Sequence, residues 1–240
     1  MTNQTPRQEF QRTGVNAAPA MVDAGLRAYM LAVYNYMATG LALTGVVAYT
    51  GATSGLYASI VGTPVFWIVL LAPLAMVFFL RFRIDALSLG TAQLCFWAYA
   101  ALVGLSLSGI FLVYTGESIA RVFFISAATF GATSIYGYTT RTDLTRFGSF
   151  LFMGLIGVII ASLVNLFLTS TALQFAISIV GVLLFTGLTA YDTQRIKDLY
   201  TAGDDGVAAG KKAVMGALTL YLDFLNLFLM MMQLFGNRRN

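Results

Sequence analysis

Histidine is absent from this 240-residue chain, cysteine occurs once, and only 10% of the residues are charged. Without histidine the chain lacks the side chain that normally titrates near neutral pH, and the commonest metal ligand. Proton sensing therefore falls to carboxylates, and a histidine-built metal centre is excluded. The lone cysteine, Cys95, excludes an intramolecular disulfide and leaves the redox compartment open; set in an apolar run, it reads as a small core residue. Soluble domains are about 25% charged. The low charge here, with 58% hydrophobic residues and a mean hydropathy of +0.79, excludes an ordinary soluble domain. The chain also has no Gly-rich phosphate loop, no nucleophile motif and no cluster of metal ligands, so neither an enzyme nor a bound small-molecule cofactor is expected. The net charge of +4 does not point to nucleic acid, because the basic residues are scattered through short loops. The partner implied is the lipid bilayer.

Long apolar runs fill the chain instead. A bilayer-crossing helix needs about 20 apolar residues, so 240 residues hold six or seven with little left for loops. The expected fold class is all-α integral membrane: a seven-transmembrane helix bundle forming a single polytopic domain over 27–240. A polar tail over 1–26, without an apolar leader core, precedes it. The runs fall at about 28–50, 65–80, 86–114, 119–139, 147–168, 173–193 and 214–235. Pro73 should kink the second. The fourth is rich in small residues, among them Ala127, Gly131 and Ser134, and the fifth carries Gly154 and Gly157. Small residues let helices approach closely in lipid, so both stripes are expected to pack against neighbours.

Eleven of the 14 Lys and Arg fall on one side of such a bundle. By the positive-inside rule that side is the cytoplasm, with the N-terminus inside. Arg238 and Arg239 break the rule if the last run crosses and obey it if that run is re-entrant; its 22 residues favour crossing. Glu117 and Arg121, four residues apart at an outer boundary, suit a helical ion pair.

Two carboxylates stand inside the apolar runs: Asp192 near the end of the sixth and Asp223 midway along the seventh. A charged residue at the centre of a spanning helix costs about 2.5–3.5 kcal/mol on insertion scales, so it faces the protein interior and marks a functional site by default. The two flank a Gly-rich hairpin over 201–210. If both helices run up to that turn, 1.5 Å per residue puts the carboxylates at depths of roughly 14 and 20 Å, near enough in height to face one another. Thr186, Thr189, Asp192 and Thr193 recur at helical spacing on the sixth run, as do Thr219, Asp223 and Asn226 on the seventh. Ser162 and Asn165 of the fifth are candidates to line the same space.

Two carboxylates a few ångströms apart in a low-dielectric site do not both ionise readily. They can share one proton, which makes a pH-dependent element without histidine. Ionised, the pair Asp192 and Asp223 is also an all-oxygen site for a hard cation such as Ca²⁺. The bland reading is a buried aspartate tied to a neighbouring hydroxyl or amide, Asp223 to Asn226 for example. Arg81 and Arg83, at the end of the second run, are candidate counter-ions to the pair or simple positive-inside anchors.

The segments LTAYDTQRIK (188–197) and LYLDFLNLFLMMMQLFG (220–236) resemble the paired signatures of the Bax inhibitor family, most closely its bacterial branch. The resemblance implies a seven-helix bundle with the last helix central and six around it, in a bacterial inner membrane. It also implies a pH-sensitive calcium leak whose aspartates, here Asp192 and Asp223, form a proton-sensing dyad. An arginine at the end of the second span is implied as a latch to that dyad; in LRFRID this is Arg81 or Arg83. Two further functions stay open on this reading. One is a non-transporting regulator of stress responses, or of a membrane-embedded AAA protease as partner. The other is a proton-coupled cation exchanger using the same carboxylates.

Overall fold

The computed structural model describes residues 6–239, with side chains described from Val22 onward. Eight α-helices follow one another: α1 (Pro6–Thr53), α2 (Leu56–Ile60), α3 (Pro64–Arg83), α4 (Leu89–Val113), α5 (Gly116–Thr139), α6 (Thr145–Leu168), α7 (Thr171–Asp198) and α8 (Gly206–Phe235). Seven are long and apolar enough to cross a membrane, the first over Val22–Thr53. Helix α1 begins at Pro6 and runs on without a break, so most of the polar tail is a helical extension of the first span. The Gly/Ser loop after it contains α2, a single short helix not anticipated from the sequence. Gly55 (φ 77°) and Gly62 (φ 84°) on either side of α2 take left-handed turns that glycine adopts without steric cost. Pro73 lies inside α3, which continues through it.

The turns between spans are tight because polar side chains cap the helices. Ser88, Thr115, Ser170 and Asp205 each accept a hydrogen bond from a first-turn N–H of α4, α5, α7 and α8 respectively. The Asp205 cap starts α8 at Gly206, so the second half of the Gly-rich turn read at 201–210 is helix, and the connection from α7 is the seven residues 199–205.

Helix α8 is the most enclosed span: 67% of its central window is buried, against 6–33% for the other six. Four helices, α1, α4, α5 and α7, wall it. Helix α3 lies outside on α4 and α6 outside on α7, so the expected ring of six is a ring of four with two peripheral helices. Close approach replaces the hydrophobic effect as the cement between helices in lipid. A Cβ on Gly104 of α4 would meet the Thr44 carbonyl oxygen at 2.7 Å, and one on Gly40 of α1 would meet the Phe96 ring at 2.8 Å. The buried Thr44 hydroxyl lies 2.9 Å from the Ala100 carbonyl oxygen and 2.6 Å from the Tyr221 hydroxyl, joining α1, α4 and α8.

On α5 the packing glycine is Gly137, whose absent side chain leaves room for the Ala190 carbonyl of α7. Gly131 faces open space, which corrects the stripe read from the sequence, although Ser134 is buried. On α6, Gly154 packs on Leu184 while Gly157 faces open space. Glu117 and Arg121 form no ion pair: among the described residues the one ion pair is Lys212–Asp204 at 2.6 Å, and Arg121 reaches the Phe235 carbonyl instead.

Seven crossings place the chain beyond α8 on the same face as the α4–α5 turn, and the two are joined there. Thr115 N–H donates to the Asn237 carbonyl (3.0 Å), Arg239 N–H to the Val113 carbonyl (2.9 Å), and Asn237 N–H to the Ser118 hydroxyl (2.8 Å). A re-entrant last segment cannot make these bonds, so α8 crosses. Arg238 and Arg239 stand opposite the basic face, held by backbone pairing.

Candidate functional site: the carboxyl pair of α7 and α8

The antiparallel register of α7 and α8 brings the two aspartates together. Gly181 sits against Met230, and Gly216 against Ile196. Counting equal steps from these contacts, Asp192 is level with Thr219 or Leu220, about one turn, roughly 4.5–6 Å, nearer the hairpin than Asp223. Every Cβ in a helix tilts toward the N-terminus; in antiparallel neighbours those tilts oppose, so Asp192 leans toward Asp223 and Asp223 toward Asp192. Their carboxyls lie within hydrogen-bonding reach.

Asp223 is only 6% exposed, and its Oδ2 is buried with no hydrogen-bond donor among the described residues. Ionised carboxylates have no hydrogen to donate, so the contact becomes a hydrogen bond only when one of the two carries a proton. Two cations act on Asp192: Arg195, three residues on along α7, and Arg81 at the end of α3. Neither forms a contact ion pair, and both are exposed. Of the two candidate latch residues, Arg81 is close enough for its charge to act on Asp192.

The other candidates are placed as follows. Thr189 is fully buried, and its hydroxyl donates back to the Phe185 carbonyl at 2.7 Å. Asn226 donates to the Leu222 carbonyl at 2.9 Å; it makes no hydrogen bond to Asp223, so the bland tie between these two is not formed. Asn165 does not line the aspartate site. Its amide donates to Gln174 (2.9 Å) and its oxygen accepts from Ser170 N–H (3.0 Å), at the far end of α7. Eighteen residues separate Gln174 from Asp192, roughly 27 Å of helix. A polar residue near a helix end serves the turn beside it.

The residues after Asp192 hold α7 in place. Thr193 is fully buried, 3.0 Å from the Ser134 hydroxyl, which lies 2.6 Å from Tyr34; three hydroxyls thus link α7, α5 and α1. Gln194 accepts from Leu144 N–H (2.8 Å) and donates to the Thr142 carbonyl (2.9 Å), pinning the α5–α6 loop. Lys197 donates to the Tyr138 carbonyl at 3.0 Å. The roles of Gln194 and Arg195 escaped the sequence reading. Arg195 was detectable three residues from Asp192 on the same face; Gln194 was not, because its partners are loop backbone. Gln194→Leu is expected to leave both loop groups unpaired and to cost about 1–3 kcal/mol, measured as a lowered Tm; an unchanged Tm would remove the clamp.

In that loop the Asp143 carboxyl accepts from the Thr145 hydroxyl (2.5 Å) and N–H (2.9 Å), bonds that hold it below the usual carboxylate range. This anchorage is complete above the ordinary aspartate pKa and is lost as pH falls through the lowered value. Its loss therefore falls below the ordinary aspartate range, and the bonds persist at neutral pH.

Comparison with known proteins places the chain in a family. Residues 26–240 match the family described as "Inhibitor of apoptosis-promoting Bax1". The chain is 53% identical over 220 residues to an uncharacterised protein of Rickettsia prowazekii, covering 91% of this chain and 93% of the relative. It is 49% identical over 220 residues to the inner membrane protein YbhL of Escherichia coli K12, covering 90% and 94%. With an uncharacterised protein of Caulobacter vibrioides it shares 44% over 249 residues, covering 96% and 99%. This integral membrane protein belongs to the Bax inhibitor family.

Proposed function

We propose that this Bax inhibitor family member is a pH-sensitive calcium leak, gated by a proton that Asp192 and Asp223 share. The observation that supports this reading is the buried Asp223 oxygen without a donor, beside a second carboxyl in hydrogen-bonding reach. An unmatched buried acceptor is costly, and a shared proton satisfies it. When that proton leaves, two carboxylates must be accommodated in one apolar seam, with Arg81 and Arg195 acting on them from exposed positions. The pair then either binds a cation or recruits Arg81, and those alternatives are the open and latched states. Ca²⁺ normally takes six to eight oxygens. Two carboxyls supply at most four, and no cluster of three or more Asp, Glu, His or Cys occurs among the described residues. Such a site holds calcium weakly, as conduction requires. It catalyses no covalent chemistry and takes no resident cofactor.

Purified protein in calcium-loaded liposomes tests this. A leak releases calcium down its gradient at a rate that changes with pH. A non-transporting regulator, such as one acting on a membrane protease, releases none. An exchanger releases calcium only when protons are driven the other way. Either of the last two outcomes overturns the leak.

The proposed orientation has the N-terminus and the basic loops in the cytoplasm of a bacterial inner membrane. Eleven of the 14 basic residues stand on that face. In intact cells Arg239→Cys, in a Cys95→Ala background, is expected to react with an impermeant thiol reagent; reaction only after lysis contradicts the orientation.

A further inference from the structure

The α7–α8 seam carries a second polar cluster at the face opposite the carboxyl pair. Gln233, exposed in the last turn of α8, is hydrogen-bonded to the Gln174 amide and to the Ser178 hydroxyl of α7, the latter donating at 2.8 Å. Asp223, Asn226, Met230 and Gln233 follow at three- and four-residue steps and so share one face of α8. The polar ends of this line are ten residues, about 15 Å, apart. Between them Met230, itself half-buried like Asn226, is seated on Gly181: a Cβ there would meet the Met230 Cγ and Sδ at 2.8 Å.

We propose that Met230, in its seat on Gly181, is the hydrophobic plug of the cation route, which runs along the α7–α8 seam from the Gln174–Gln233 mouth to the carboxyl pair. This assignment rests on the leak reading above and adds its path and its barrier. An apolar constriction blocks ions by excluding the water they travel with. Methionine suits a plug that must also move, since it is unbranched and has three rotatable side-chain bonds. Gly181 suits the seat because any side chain there displaces the sulfur. Asn226, between plug and pair, is the polar step on the α8 face that an ion meets once past Met230.

Cysteine accessibility tests the plug independently of flux. In a Cys95→Ala background, Gln233→Cys and Asn226→Cys are exposed to an impermeant methanethiosulfonate from the face that carries the α8 C-terminus. Gln233→Cys should label whatever stands at position 230. Asn226→Cys should be protected by Met230, lose that protection with Met230→Ala and keep it with Met230→Leu, which refills the seat. Met230→Val, a milder truncation, should give partial loss where the alanine variant folds poorly. Labelling of Asn226→Cys with Met230 in place, or protection that survives truncation in a protein of unchanged Tm, overturns the plug. Calcium flux through the unmodified protein is read alongside: its absence removes the leak reading, while the labelling pattern alone decides whether Met230 seals the seam.

Discussion

Asp192→Asn and Asp223→Asn are each expected to flatten the pH dependence of calcium flux in proteoliposomes. A proton shared between two carboxyls belongs to the pair, so titration of the pair disappears when either member can no longer ionise. Asparagine keeps the size and hydrogen-bonding ability of the carboxyl, so the fold is retained. The double variant should add little to either single one, because residues in one coupled unit are not additive. The expectation draws on the geometry: opposed Cβ tilts bring the two carboxyls within hydrogen-bonding reach. Protonation has two opposed consequences for flux, since it weakens the pull on Arg81 and also weakens cation binding; both run through the same pair and vanish together. A single variant with the parent's pH profile would remove that aspartate from the sensor.

Gly137→Leu should be the most disruptive substitution on α5, and Gly131→Leu nearly silent. At Gly137 a side chain meets the backbone carbonyl of Ala190, which has no rotamer by which to give way. The helices must separate, at or above the roughly 1–3 kcal/mol usual for overpacking. Separation here also disturbs the Ser134–Thr193 contact one turn away and the stretch of α7 that carries Asp192. At Gly131 a Cβ meets nothing within 4 Å, so leucine adds a lipid-facing side chain, within about 0.5 kcal/mol of neutral. Thermal unfolding of the two variants in detergent decides the matter: equal Tm losses would contradict the assignment of the α5–α7 contact to Gly137.

That pair of glycines shows where the sequence stops being informative. The seven spans and their order were legible because length and apolarity alone define a crossing. Asp192 and Asp223 were legible because a carboxyl in an apolar run stands out against its surroundings. The rotation of each helix was not, since lipid and protein interior are equally apolar and the side of α5 that bears Gly131 reads like the side that bears Gly137. The same loss of contrast placed Asn165 at the aspartates when it caps the turn between α6 and α7. It also concealed Gln194, whose partners Thr142 and Leu144 are backbone groups some fifty residues away. The crossing of α8, weighed from the sequence against the charge of Arg238 and Arg239, was settled by backbone hydrogen bonds from 237–239 to the α4–α5 turn.

The central claim is that Asp192 and Asp223 hold one proton between them and that its loss changes conduction. Infrared difference spectroscopy of the protonated-carboxyl carbonyl band, followed across pH in the same liposomes used for calcium release, tests it most directly. The account predicts one buried carboxyl band that titrates in step with flux and is absent when both residues are asparagine. A band that survives the double substitution, or one that titrates without any change in calcium release, would contradict it.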